Sequence, residues 1–185
     1  MSSEPQRPAL SAASITAAAR QIADREGLAE LTLRRIAREL GTGPASLYRH
    51  IADRQQLLAL LVDDLAGGYP LVDAPGPPIE QLTAQWLAMH DYLASHPWAA
   101  RIIADGEHTV SSAQPVVDRC MLLLQAVGLD EASAHRTYRA LWRLLIGHLL
   151  SRHPFGHLQG APPEHDDFDW ALRALLAGVV TNTEK

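Results

Sequence analysis

Apolar side chains fall at three- and four-residue intervals along most of this chain, the spacing that lines one face of an α-helix. The first such stretch is Ile15, Ala18, Ala19, Ile22 and Ala23, with Ser11 placed to cap its start and Gly27 to stop it. Thr32 is placed to cap a second, two turns long, whose Leu33, Ile36, Ala37 and Leu40 share a face ending at Gly41. Gly43 and Pro44 suit a turn and a new start, because proline at the first helical position gives up an amide hydrogen that has no partner there. A third helix is thereby predicted over about 44–50. Asp53 caps a fourth, with Gln56 three residues on for a capping-box pair and Leu57, Leu58, Leu61 and Leu65 as its inner face before Gly67-Gly68.

Residues 67–80, GGYPLVDAPGPPIE, concentrate Gly and Pro and read as a connector. Beyond it Ile79, Leu82, Trp86, Met89 and Leu93 make a stripe broken at His96-Pro97, followed by a shorter one with Trp98, Ile102 and Ile103. Val116, Val117, Cys120, Met121, Leu124 and Val127 lead to a stop at Gly128. A longer helix capped by Asp130 carries Tyr138, Leu141, Trp142, Leu145, His148 and Leu149. After the loop HPFGHLQGAPPEHDD, a last helix shows Phe168, Ala171, Leu172, Leu175, Leu176 and Val179, an apolar face wide enough to need two partners. No strand pattern competes. The predicted fold class is all-α, with an N-terminal domain over 1–67 and a helical bundle over 68–185.

Four short helices at the N-terminus, the second and third joined by a Gly-containing turn, have the spacing of a helix-turn-helix. A seven-residue rod rises about 10 Å. It buries little but fits lengthwise into a DNA major groove about 12 Å wide. Leu47 can anchor it inward. Ser46, Tyr48, Arg49 and His50 then offer hydroxyls and an imidazole to phosphate oxygens and a guanidinium that can fork onto guanine O6 and N7. Arg34 points toward the same side, and Arg54 begins the fourth helix, where a phosphate would also meet helix-terminal amides. Taken singly, Tyr48 reads as a half-buried core aromatic and each Arg as a solvated side chain. Their convergence in one short helix is what points to nucleic acid.

Charge sharpens this. The chain as a whole carries −5, yet residues 1–60 hold eight Arg and six acids while the remainder is acidic. One end is thus suited to an anion and the other is not. The only Lys is Lys185, so basic contacts in the body fall to Arg, a bias that source composition would also produce. No apolar run approaches the roughly 20 residues needed to cross a bilayer. The polar, Pro-bearing start MSSEPQRPAL does not read as a secretory signal, so a cytoplasmic location is expected. Cys120, a lone cysteine, reads as a small buried apolar side chain.

The stretch LTLRRIARELGTGPASLYRHIADRQQLLALLVDDL resembles the DNA-binding end of the TetR (tetracycline-repressor-like) family of bacterial transcriptional regulators. The resemblance lies in Leu31-Thr32, Arg34, Ile36-Ala37, Leu40-Gly41, Leu47-Tyr48, His50 and a basic residue at Arg54, and covers roughly residues 10–66. It implies that Thr32, Tyr48, His50 and Arg54 hold the DNA backbone while Arg34, Pro44, Ala45, Ser46 and Arg49 face base edges. It also implies a small-molecule effector pocket in the C-terminal helices and a homodimer through the helices near 130–152 and 166–181. The function expected from it is a repressor that releases a double-stranded DNA operator on binding an effector, with no cofactor, no metal and no catalysis. Tetracycline itself is not implied, because the namesake's metal-and-drug site is not visibly reproduced.

For the effector, Trp86, Met89, His90, Trp98, Met121, Tyr138, Trp142 and His148 can line a mostly apolar cavity with a few polar tips. Trp and Met at helical spacing also read simply as core. Two alternatives stay open: a DNA-binding protein without effector control, and a metal-dependent enzyme using His148, His153, His157, His165, Asp166 and Asp167. The second is disfavoured because Pro154 and Gly156 break the helical spacing that would aim His153 and His157 at one metal. No nucleophile elbow or phosphate-cradling loop is present.

Overall fold

The structure, a computed structural model, describes residues 10–106, 110–151 and 167–183. Among them every regular element is an α-helix. In chain order these are α1 (Ala12–Glu26), α2 (Leu33–Glu39), α3 (Pro44–Leu47), α4 (Arg54–Gly67), α5 (Pro78–Ala94), α6 (Ala99–Asp105), α7 (Gln114–Ala126), α8 (Glu131–Leu150) and α9 (Asp167–Thr183). None is long and apolar enough to cross a membrane.

The caps form largely as the sequence predicts. Ser11 accepts from the Ser14 amide while the Ser14 side chain answers the Ser11 amide, so two otherwise unpaired N–H groups at the start of α1 are satisfied. Thr32 accepts from Arg35 N–H at 3.1 Å. The end of α2 closes with Gly41 N–H on the Arg38 carbonyl and Thr42 N–H on Ala37, with Gly41 at φ 64°. Both orphan carbonyls are bonded, and the positive φ is why a glycine stands there.

Two local expectations are corrected. The predicted third helix over 44–50 is α-helical only for Pro44–Leu47; Tyr48, Arg49 and His50 continue it as a turn. The Leu47 carbonyl accepts from both His50 N–H (2.8 Å) and Ile51 N–H (2.9 Å), which closes the rod early. Gln56, expected to complete a capping box with Asp53, instead accepts from Ala52 N–H at 2.6 Å, one residue upstream, while Asp53 takes the Gln56 amide.

The core runs without a break from Ile15, Ile22, Ile36, Leu47 and Ile51 through Leu57 and Leu61 into Leu82, Trp86, Leu124, Leu141, Leu145 and Leu172. The connector is held down rather than loose. Gln85, fully buried on α5, donates to the Pro70 carbonyl at 2.7 Å and accepts from Val72 N–H at 3.0 Å. Tyr92 donates to the Leu65 carbonyl, and a Cβ at Gly68 would overlap the Tyr92 hydroxyl.

Candidate nucleic-acid interface and effector cavity

Leu47 is fully buried, and the other residues of the short rod are exposed or half-buried. Tyr48 is 58% exposed, Pro44, Ala45 and Arg49 are exposed, and Ser46 and His50 are half-buried. Thr32, Arg34 and Arg54 are exposed on the neighbouring helices. None of the nine residues predicted to meet DNA is buried, and all lie on or beside α2, α3 and the start of α4.

The arginines of this end divide sharply. Arg35 forks onto Glu26, with Nε at 3.1 Å and Nη2 at 2.6 Å, and also reaches Glu39 at 2.6 Å. Arg25 meets Glu39 at 3.1 Å, and Arg20 meets Asp64 at 3.0 Å. These hydrogen bonds hold both glutamates below the ordinary carboxylate range. Arg34, Arg38, Arg49 and Arg54 are exposed and make no ion pair with any described residue. Arg38 was not singled out by sequence reasoning. Its signal is the four-residue spacing from Arg34, which puts both guanidinium groups on one face of α2. At the start of α4, one amide expected to meet a phosphate, that of Gln56, is already taken by Asp53 at 2.8 Å.

A polar cluster ties this head to the bundle. Arg20 donates to Tyr92 Oη (2.8 Å) and approaches His96 Nε2 (3.2 Å), while Asp24 takes His96 Nδ1 at 2.7 Å and the Trp98 indole N–H at 2.6 Å. With Nε2 facing a guanidinium donor, the His96 proton belongs on Nδ1, donated to Asp24.

The eight expected effector residues are not gathered in one place. Tyr138 and Trp142 line a hollow of about 250 Å³ with Val62, Tyr69, Ile102, Ile103, Gly106, Val110 and Ala113. Trp86 packs against both rings, at 5.6 Å and 6.3 Å between centroids. His90 and His148 line a separate cleft, where His90 stacks on Phe168 at 4.6 Å. Burial, then the neighbouring His90, holds the His148 pKa down. Trp98 borders a third hollow beside Asp24, Leu28 and Arg101. Met89 is core, and Met121 packs against the core. The reason is geometric: α5 packs on α7, α8 and α9 while α8 also meets α6, so residues along the two helices face different neighbours. The walls that sequence reasoning missed, Val62, Tyr69, Ile103 and Val110, come from four separate segments with no shared periodicity.

A larger hollow, about 530 Å³, lies elsewhere, between the α7–α8 turn, the first half of α8 and α9, and none of the eight lines it. Among the described residues no three His, Cys, Asp or Glu are grouped to hold a metal. His153, His157, His165 and Asp166, weighed for that role, lie outside the described residues. Cys120 is buried, and its thiol pKa is pushed up to about 12 by that burial, so it is not a nucleophile near neutral pH.

Comparison with known proteins converges on this geometry. Residues 15–61 match the model of the bacterial regulatory proteins of the tetR family. The chain is similar to the HTH-type transcriptional repressor DrrR1 of Streptomyces coeruleorubidus, with 32% identity over 136 residues. That match takes in 68% of this chain and 47% of DrrR1, so the chain spans about half the length of that relative. Apo ActR from Streptomyces coelicolor superposes with a TM-score of 0.82 at 25% identity, covering 99% of each chain. ActR has also been solved with (S)-DNPA bound, at a TM-score of 0.79 and 26% identity over 94% of this chain and 98% of that one. BioQ with its double-stranded DNA operator superposes at 0.75 and 26% identity, over 93% of this chain and 99% of that one. Taken with the arrangement of α1 to α4, these likenesses place the chain in the TetR family of bacterial regulatory proteins.

Proposed function

We propose that the chain is a homodimeric, sequence-specific DNA-binding repressor that leaves its operator when a small molecule enters the C-terminal bundle. The observation that carries this is the contrast at α3: Leu47 wholly buried, with Tyr48 and Arg49 turned to solvent beside the unpaired Arg34 and Arg38. No stability requirement explains so many exposed donors around one anchor. DrrR1, named a repressor, BioQ, solved on its operator, and ActR, solved with a small molecule, support the same reading.

In this reading Thr32, Tyr48, His50 and Arg54 contact phosphates. Thr32 keeps its hydroxyl proton for that purpose, since its oxygen accepts from the Arg35 amide. Arg34, Ser46 and Arg49 face base edges, and Pro44 and Ala45 offer apolar contact of the kind a thymine methyl accepts. Arg38 joins the phosphate contacts. One head reads too few bases for specificity, so two are needed about 34 Å apart on one face of the duplex. The partner surface is proposed on α8 and α9. Trp170 is 74% exposed there, and Ala174, Ala177 and Gly178 follow it at helical spacing on the exposed side of α9.

The switch works through α4. Val62, a wall of the 250 Å³ cavity, sits on the same helix that begins at Arg54, so a guest there bears directly on the helix carrying the head. A ligand shifts the DNA-bound population only if it prefers the other arrangement of α4 and α6. Selection of bound sequences from random duplexes, followed by a footprint, tests the proposal. A two-fold symmetric site with half-sites about one helical turn apart is expected. Uniform, sequence-independent protection would overturn it.

A further inference from the structure

This inference rests on the effector reading above and concerns the chemistry that the cavity accepts. Val62, Ile102 and Ile103 form its aliphatic side; the rings of Tyr69, Tyr138 and Trp142 form the other. Tyr138 and Trp142 lie parallel within 7°, with ring centroids 6.5 Å apart, so the hollow is bordered by two similarly oriented aromatic rings. No charged side chain lines it among the described residues. Asp63, next in sequence to Val62, is turned instead to Ser112, whose amide and hydroxyl it holds at 3.1 Å and 2.9 Å. The polar side-chain groups that remain are the Tyr69 and Tyr138 hydroxyls and the Trp142 indole N–H, each able to donate. Burial pushes both phenol pKa values up, so each stays an O–H, and no described residue accepts from either. Behind them the Trp86 indole N–H is fully buried and has no hydrogen-bond partner among the described residues.

An anion entering this space would shed its hydration with no counter-charge among the described lining residues to replace it. A saturated hydrocarbon would leave the donors unanswered and gain no ring–ring contact with Tyr138 and Trp142. The volume, about 250 Å³, is at or just below the small end of ordinary ligand sites and limits the guest to one or two fused rings. We propose that the cavity between α4, α6 and α8 binds a small, flat, uncharged aromatic compound bearing a hydrogen-bond acceptor such as a ketone or quinone carbonyl.

Two probes of matched shape test this: 2-acetylnaphthalene, neutral, and 2-naphthoate, anionic at pH 7. Calorimetry on the full chain should show the ketone binding on the order of 10-fold tighter or more, the cost of an uncompensated buried charge. Two cavity-filling variants, Ala113→Phe and Val62→Phe, should each abolish ketone binding, and thermal melts report which of them stays folded. Equal or tighter binding of naphthoate overturns the proposal. So does binding of neither probe, or ketone binding unchanged in a folded filled variant. Ketone binding that is lost in the filled variants but leaves operator affinity untouched supports the chemistry proposed here and counts against the effector reading alone.

Discussion

At position 47 and its neighbour 48, adjacent residues do opposite jobs. Leu47 is wholly enclosed by the head's core, so Leu47→Ala should cost about 2–5 kcal/mol in chemical denaturation, the range for a buried leucine with a residual cavity. Tyr48, 58% exposed, supports no core, and Tyr48→Ala should change stability by no more than about 0.5 kcal/mol. The same variant should weaken operator and random DNA alike. Because a phenol releases no counterion, its salt slope should stay as in the parent, whereas Arg54→Ala should lower that slope by about 1. Arg34→Ala should relax sequence preference more than affinity. Equal loss of discrimination in all three variants would contradict these roles, measured as competition between operator and random duplex over a salt series.

At the scale of elements, α1 and α2 are clasped by Arg35 between Glu26 and Glu39. Both glutamates have lowered pKa values in the folded chain, chiefly through hydrogen bonds from Arg35. The stability they lend is therefore complete above the ordinary glutamate value of 4.5 and is lost as pH falls below it. A Glu26→Gln, Glu39→Gln variant should show a flatter fall in melting temperature over that acid range than the parent. The connector should respond to Gln85→Leu, which leaves the Pro70 carbonyl and the Val72 amide without their partner and should cost about 1–3 kcal/mol. Caps and stripes such as Ser11, Thr32 and Gly41 were legible in the sequence because they act on amides within a few residues of themselves. The early end of α3, the reach of Gln56 to Ala52 and the burial of Gln85 were not legible. Each depends on which of several nearby backbone groups the folded chain brings within reach. The cavity was less legible still, since Tyr138 and Trp142 announce an aromatic wall but Val62, Ile103 and Val110 meet them only through the packing of α4, α6 and the turn before α7.

Across the whole molecule, the continuous core and the Arg20–Asp24–His96–Trp98 cluster make head and bundle one mechanical unit, which is what an effector-driven release requires. Trp98→Phe removes the indole bond to Asp24 and should leave operator binding near the parent's while weakening the effector's influence on it. Trp170→Arg places a charge on the exposed face of α9 and should yield monomer by sedimentation velocity, with operator affinity falling accordingly. The outward rod at residues 44–50 is the feature on which the proposed recognition rests. Its most direct measurement is the sequence selected from random DNA by the parent and by Arg49→Ala, side by side. A symmetric site that loses preference at one base pair in each half, with all other positions kept, is the expected result. An unchanged site, or none with two-fold symmetry, would contradict the placement of this rod in the groove.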